Sequence, residues 1–150
     1  MKQCRLVYRS IAAPSLLERP ALERMVDLAR ERNTGVGITG LLILSGNRFL
    51  QVLEGPIPFV NELLNKIIRD ERHTRFELLS YDQVVLPLFH DWSMTELRLD
   101  DVPAPIREIL VAKYDLEHGA IRIPADSVSA HSLLLDARWI CAGQRIAARG

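Results

Sequence analysis

Residues 36–44 and 48–54 are two nearly continuous apolar runs separated by Gly46-Asn47, and this arrangement constrains the fold more than any other feature of the chain. A Gly-Asn pair between strand-length runs closes a hairpin. Strands apolar on both alternating faces belong to the middle of a sheet that is covered on both sides. Within the second run, Phe49-Leu50-Gln51-Val52-Leu53-Glu54-Gly55, one uncharged amide interrupts the apolar pattern. Alternation puts Gln51 on the face of Phe49 and Leu53, with Leu50, Val52 and Glu54 on the other. Its carboxamide carries two donors and an acceptor, and leaving such groups unpaired inside a protein costs roughly 1–3 kcal/mol. A polar partner must face Gln51, either a backbone carbonyl or water in an ordinary core, or a second functional group.

The other elements follow from periodicity. Residues 4–10 read as a first strand with Leu6 and Tyr8 on one face. Pro14 and Pro20 bracket a loop, and Leu22, Met25, Val26 and Ala29 mark a helix over residues 20–32 that stops at Asn33-Thr34-Gly35. After Gly55-Pro56, Phe59, Val60, Leu63, Leu64, Ile67 and Ile68 lay a wide apolar stripe on a second helix, which ends in Arg69-Asp70-Glu71-Arg72-His73. Strands are predicted at residues 76–86 and 92–97. The order βαββαβ gives an α+β, ferredoxin-like mixed sheet with both helices on one face and a ligand-sized slot between them. Beyond Asp100, Ile106, Ile109 and Leu110 mark one helix and residues 133–146 another, with a loop-like stretch around a short extended piece at 121–123. This helical extension must bury its apolar side on the sheet's open face or on a second subunit.

At 150 residues and 48% hydrophobic, the chain closes a core without metal or disulfide staples. Nineteen basic residues balance nineteen acidic ones and are scattered, which argues against nucleic acid as a partner. No apolar run approaches the length that spans a bilayer, so the expectation is a cytoplasmic protein without membrane association. Cys4 and Cys141 show no metal or redox spacing and read as buried free thiols. There is no GxSxG elbow, Walker loop, HExxH or Rossmann glycine triplet. Gly35-Val36-Gly37-Ile38-Thr39-Gly40 opens a strand, so its glycines are expected to admit a helix or flat ligand close to the sheet.

Tyr8 and Gln51 lie on strands that this fold can set side by side. A phenol near a strong electron acceptor is a source of one electron and one proton, and an amide passes on a hydrogen-bond change by rotating or tautomerising. That pairing suits photochemistry or redox signalling better than hydrolysis. Asn33 reads as a helix stop or as a second amide at the slot's mouth. The cluster Arg69-Asp70-Glu71-Arg72-His73 reads as favourable basic charge near a helix C-terminus, or as donors and an acceptor for a polar ring or phosphate. Trp92 and Met94 read as core anchors of an edge segment.

Five motifs in order, Arg5-Leu6-Val7-Tyr8-Arg9-Ser10, Asn33 with Gly37-Ile38-Thr39-Gly40-Leu41-Leu42, the Phe49–Gly55 strand, Arg69–His73 and Asp91-Trp92-Ser93-Met94, resemble the BLUF domain, the blue-light sensor using FAD. The resemblance implies non-covalent FAD with its ring between the two helices, and photoreception without enzymatic turnover. It implies Tyr8 as electron and proton donor to the flavin, and Gln51 as the amide whose hydrogen bonds rearrange. It further implies cofactor contacts from Asn33, Asp70, Arg72 and His73, and a signal relay through Trp92 and Met94. The expected division is a flavin-binding domain at 1–101 and an extension at 102–150, similar to short members of that family. Output would run through a homo-oligomer or an unidentified downstream protein partner. Two other readings are a light-inert ligand-binding or dimerisation module and an acylphosphatase-like hydrolase, which shares the element order. The second lacks the glycine-rich phosphate loop after the first strand.

Overall fold

The computed structural model describes residues 1–149, with side chains as far as Arg145; Gly150, the last residue of the expected extension, lies outside the described residues. Strand β1 (Gln3–Ala12) passes through a 3-10 turn at Pro14–Leu17 into helix α1 (Arg19–Thr34), where Pro20 occupies the first turn. That position suits proline because the amide it lacks has no intrahelical partner there. Strands β2 (Thr39–Ser45) and β3 (Arg48–Pro56) form the expected hairpin, with Gly46 at φ 58° in its turn. Helix α2 (Ile57–Arg69), strand β4 (His73–Val84) and strand β5 (Ser93–Arg98) complete the βαββαβ unit and add an edge strand.

The sheet runs β4-β1-β3-β2-β5. Neighbours are antiparallel except β2 and β5, which are parallel, so the sheet is mixed as expected. Each crossover, β1–α1–β2 and β3–α2–β4, skips one strand, and both helices land on the same face. There Leu22 and Val26 of α1 and Val60 and Leu63 of α2 bury against Leu6, Tyr8, Leu42, Phe49 and Leu53. This is the ferredoxin-like α+β fold.

The second face carries Val7, Leu41, Ile43, Leu50 and Val52. Helix α3 (Ala104–Tyr114), a two-rung hairpin of β6 (Leu116–Glu117) and β7 (Ala120–Ile121), and helix α4 (Ser127–Arg149) cover it. Leu110, Leu133, Leu134 and Ile140 are buried there, and Ile106 is partly buried against them. Ile109 departs from the expectation and is 66% exposed, because it lies on the outward side of α3. Helix α4 begins six positions before the expected residue 133, since Asp126 caps it by accepting from the Ser129 amide at 2.8 Å.

Strand β4 starts earlier than expected, at His73, and stops at Val84, leaving Val85 and Leu86 exposed in a loop. The glycine-rich opening of β2 also serves a different purpose. A Cβ on Gly40 would sit 2.2 Å from the Val52 carbonyl oxygen, so its bareness lets β3, not a ligand, approach.

Candidate functional site

Tyr8 on β1 and Gln51 on β3 are register partners. Alternation turns both toward the helix face, where the Tyr8 hydroxyl donates to Gln51 Oε1. The amide's other end donates from Nε2 to Met94 Sδ at 3.2 Å. The partner demanded by a buried glutamine is thus a phenol on one side and a thioether on the other. The Tyr8 ring stacks on Phe76 with centroids 4.8 Å apart. Burial, reinforced by the Asp70 charge, pushes its phenol well above the usual tyrosine range, so the group holds its proton.

Above this chain, α1 and α2 part to leave a cavity of about 200 Å³. Met25, Ala29 and Asn33 form one wall, Leu63 and Ile67 the other, and Leu42, Phe49, Gln51 and Met94 the floor. Asn33 combines both of its expected roles. Its carbonyl accepts from the Val36 and Ile38 amides and ends the helix. Its side chain is 1% exposed, and Nδ2 is buried with no partner in the protein. An orphaned amide donor at the edge of an apolar cavity asks for an acceptor.

Asp70, Arg72 and His73 close the far end. Arg72 Nη2 donates to Asp70 Oδ2 at 2.6 Å and its Nε reaches both carboxylate oxygens. This bonding holds the Asp70 carboxyl below its usual range and raises Arg72 in turn. His73 Nε2 donates to the Ile67 carbonyl at 2.6 Å, and Nδ1 pairs with the Ser10 hydroxyl at 2.7 Å. His73 is therefore a strut joining α2, β1 and β4. Sequence reasoning missed Arg32 and Lys66, which line the cavity and, with Asn65 and Arg69, a polar recess outside it. Lys66 lies three residues after Leu63 on α2, and that spacing was the available signal.

Trp92 and Met94 separate. Gly40 of β2 pairs with Ser93 but Leu41 pairs with Thr95, which leaves Met94 as the extra residue of a β-bulge. Met94 takes φ 70° and turns into the cavity, whereas Trp92 packs in the core beneath α4 with the Arg145 guanidinium 3.7 Å over its ring. The structure brings Tyr8, Gln51, Met94, Asn33, Asp70, Arg72 and His73 together around one cavity and places Trp92 on the opposite face.

Residues 4–95 match the family described as sensors of blue light using FAD, BLUF. The chain is 32% identical over 102 residues to the blue light- and temperature-regulated antirepressor BluF of Escherichia coli, which covers 65% of this chain and 25% of that protein. It is 30% identical over 99 residues to the photoactivated adenylate cyclase subunit alpha of Euglena gracilis, covering 65% of this chain and 10% of the relative. The chain thus spans a quarter or less of these curated relatives. Among solved structures, the photo-activated state of BlsA superposes with a TM-score of 0.66 at 27% identity, covering 75% of this chain and 79% of that one. Klebsiella pneumoniae BlrP1 with FMN and cyclic diGMP gives 0.62 at 34% identity, covering 72% and 29%. The chain belongs to the BLUF family of blue-light sensors using FAD.

The residues present fit that cofactor. An isoalloxazine ring has flat apolar faces and a polar carbonyl and imide edge. The cavity offers apolar walls together with the unpartnered Asn33 amide and the Gln51 amide. Among the described residues no helix is long and apolar enough to cross a membrane, and no cluster has the makings of a metal site.

Proposed function

We propose that this chain switches by a hydrogen-bond exchange along Tyr8, Gln51 and Met94, and that it signals by conformation without turning over a substrate. Tyr8, Asn33, Gln51, Asp70, Arg72 and His73 would hold the flavin, whose ring, when bound, supplies blue-light absorption and an excited state that accepts an electron and a proton. The observation that carries this reading is the continuous chain from the Tyr8 hydroxyl through Gln51 to Met94 Sδ in the cavity floor.

In darkness Tyr8 Oη holds its proton and gives it to the bond with Gln51 Oε1. Loss of that proton, with an electron, removes the donor that fixes the amide. Gln51 then rotates or tautomerises, and its Nε2 leaves Met94 Sδ. Asn33 orients the polar edge of the ring, and the Asp70–Arg72 pair with the His73 strut fixes the far end. Arg32, Lys66 and Arg69 supply cationic charge outside the cavity for the cofactor's phosphates.

Because Met94 and Trp92 are two residues apart on opposite faces, displacement of Met94 reaches the α4 layer through the backbone. The tail α3–α4 would then present the changed surface to a second copy of the chain or to a downstream protein. The reading is tested by purifying the chain with FAD. It should be yellow, release flavin on denaturation and shift its absorption to the red under blue light, with dark reversal. A protein that stays colourless after reconstitution contradicts it.

A further inference from the structure

Helix α1 reaches across the cavity's edge to grip the bulge. Arg30 Nε and Nη2 both donate to the Met94 carbonyl, at 3.2 and 2.9 Å, while Nη1 is steadied by Asp27 at 2.9 Å. Arg30 itself does not line the cavity. The residue it grips is unusual in three independent ways. Met94 is the extra residue of the β2–β5 bulge, it holds a left-handed φ of 70° without being glycine, and its sulfur is the acceptor for Gln51 Nε2. A left-handed residue with a side chain persists only where its surroundings over-determine it. Here the neighbouring backbone supplies one constraint, the Met94 amide donating to the Trp92 carbonyl at 2.8 Å, and the Arg30 fork supplies the other.

We propose that Arg30 is a positioning residue of the photoswitch, a latch that holds Met94 in its left-handed bulge and so aims the sulfur at Gln51. The inference rests on the switching role given to Gln51 and Met94 above. Its planar fork matters more than its charge, since two donors converging on one carbonyl oxygen fix direction as well as distance. With the latch open, Met94 relaxes toward a negative φ, the sulfur leaves Gln51, and the amide loses the acceptor to which it must return after light.

The test is an NMR spectrum of the full chain, loaded with FAD, kept dark and labelled at its methionine methyls, with the Met94 signal assigned by its loss in Met94→Leu. Arg30→Ala should move and broaden the Met94 methyl resonance while leaving FAD content unchanged, and Arg30→Lys should restore it only in part. Dark reversion after blue light should slow by about threefold or more in Arg30→Ala. In a Met94→Leu background, the same substitution should leave reversion unchanged. A Met94 resonance identical in Arg30→Ala overturns the latch, as does an equal slowing in the Met94→Leu background. Because the methyl signal is read in darkness, the latch is decided even if the protein shows no red shift, an outcome that would instead refute the switching role of Gln51.

Discussion

Trp92 and Met94, two residues apart, face opposite sides of one sheet. Regular alternation would have placed both on the same side. The bulge at Met94 reverses the phase, so the cavity and the α4 layer are joined by a single turn of backbone. Under the proposed switch, a light-driven change at Gln51 would have a short route to the tail.

Asn33→Ala should weaken FAD retention by about tenfold, the worth of roughly one buried hydrogen bond, with little loss of fold stability because the Asn33 Nδ2 has no protein partner to lose. Equilibrium dialysis against free FAD measures the first and thermal melting of the flavin-free protein the second. Equal retention in the variant would remove Asn33 from the site.

Glu54 clamps the loop that leads to the bulge. It is 2% exposed, accepts from Arg5 Nε at 2.9 Å and from the amides of Leu88 and Phe89 at 3.0 and 2.5 Å. Glu54→Ala removes the carboxylate partner of a mostly buried guanidinium and the acceptor of two amides, and should cost about 3 kcal/mol, measured by urea denaturation. A loss below about 1 kcal/mol, the size expected of an exposed pair, would contradict the clamp.

The hairpin, both helices and the helix-face core were legible because apolar spacing alone dictated them, and the Tyr8–Gln51 pairing followed from alternation plus strand order. The bulge was not legible, since nothing in Trp92-Ser93-Met94 marks a left-handed residue; the contacts that hold it, the Trp92 carbonyl on the Met94 amide and the Arg30 fork on the Met94 carbonyl, form only in the folded chain. The Asp126 cap was readable in principle as an aspartate just before a helix. The strut role of His73 depends on Ser10 and Ile67, which are distant in sequence or carry only a backbone acceptor, and no local pattern announces that.

Acid should loosen the far end of the site. Arg72 depresses the Asp70 carboxyl in the folded state, so the pair's contribution is complete above the unfolded carboxylate value of about 4 and is lost as pH falls through the lower folded value. The pair is partly exposed, so the effect on global stability is small. FAD retention should be flat from about pH 7 down to pH 4 and fall below that. A decline already complete at pH 5 would assign the dependence to another group.

Hydrogen exchange in darkness and under blue light should differ in residues 104–114 or 127–145. Those helices bury Leu110, Leu133, Leu134 and Ile140 on the sheet, and Arg145 lies over Trp92. Truncation after Asp101 should preserve the photocycle while exposing that apolar face and lowering solubility. Identical exchange in both states would take the tail out of the signalling path.

The most direct measurement is the light-minus-dark visible spectrum of the FAD-loaded chain beside Tyr8→Phe and Gln51→Leu. Tyr8→Phe keeps the ring's volume and its stacking on Phe76, so its melting should change by only about 1 kcal/mol. The account predicts a reversible red shift in the parent and bound flavin without that shift in both variants. A full red shift in both variants would contradict it.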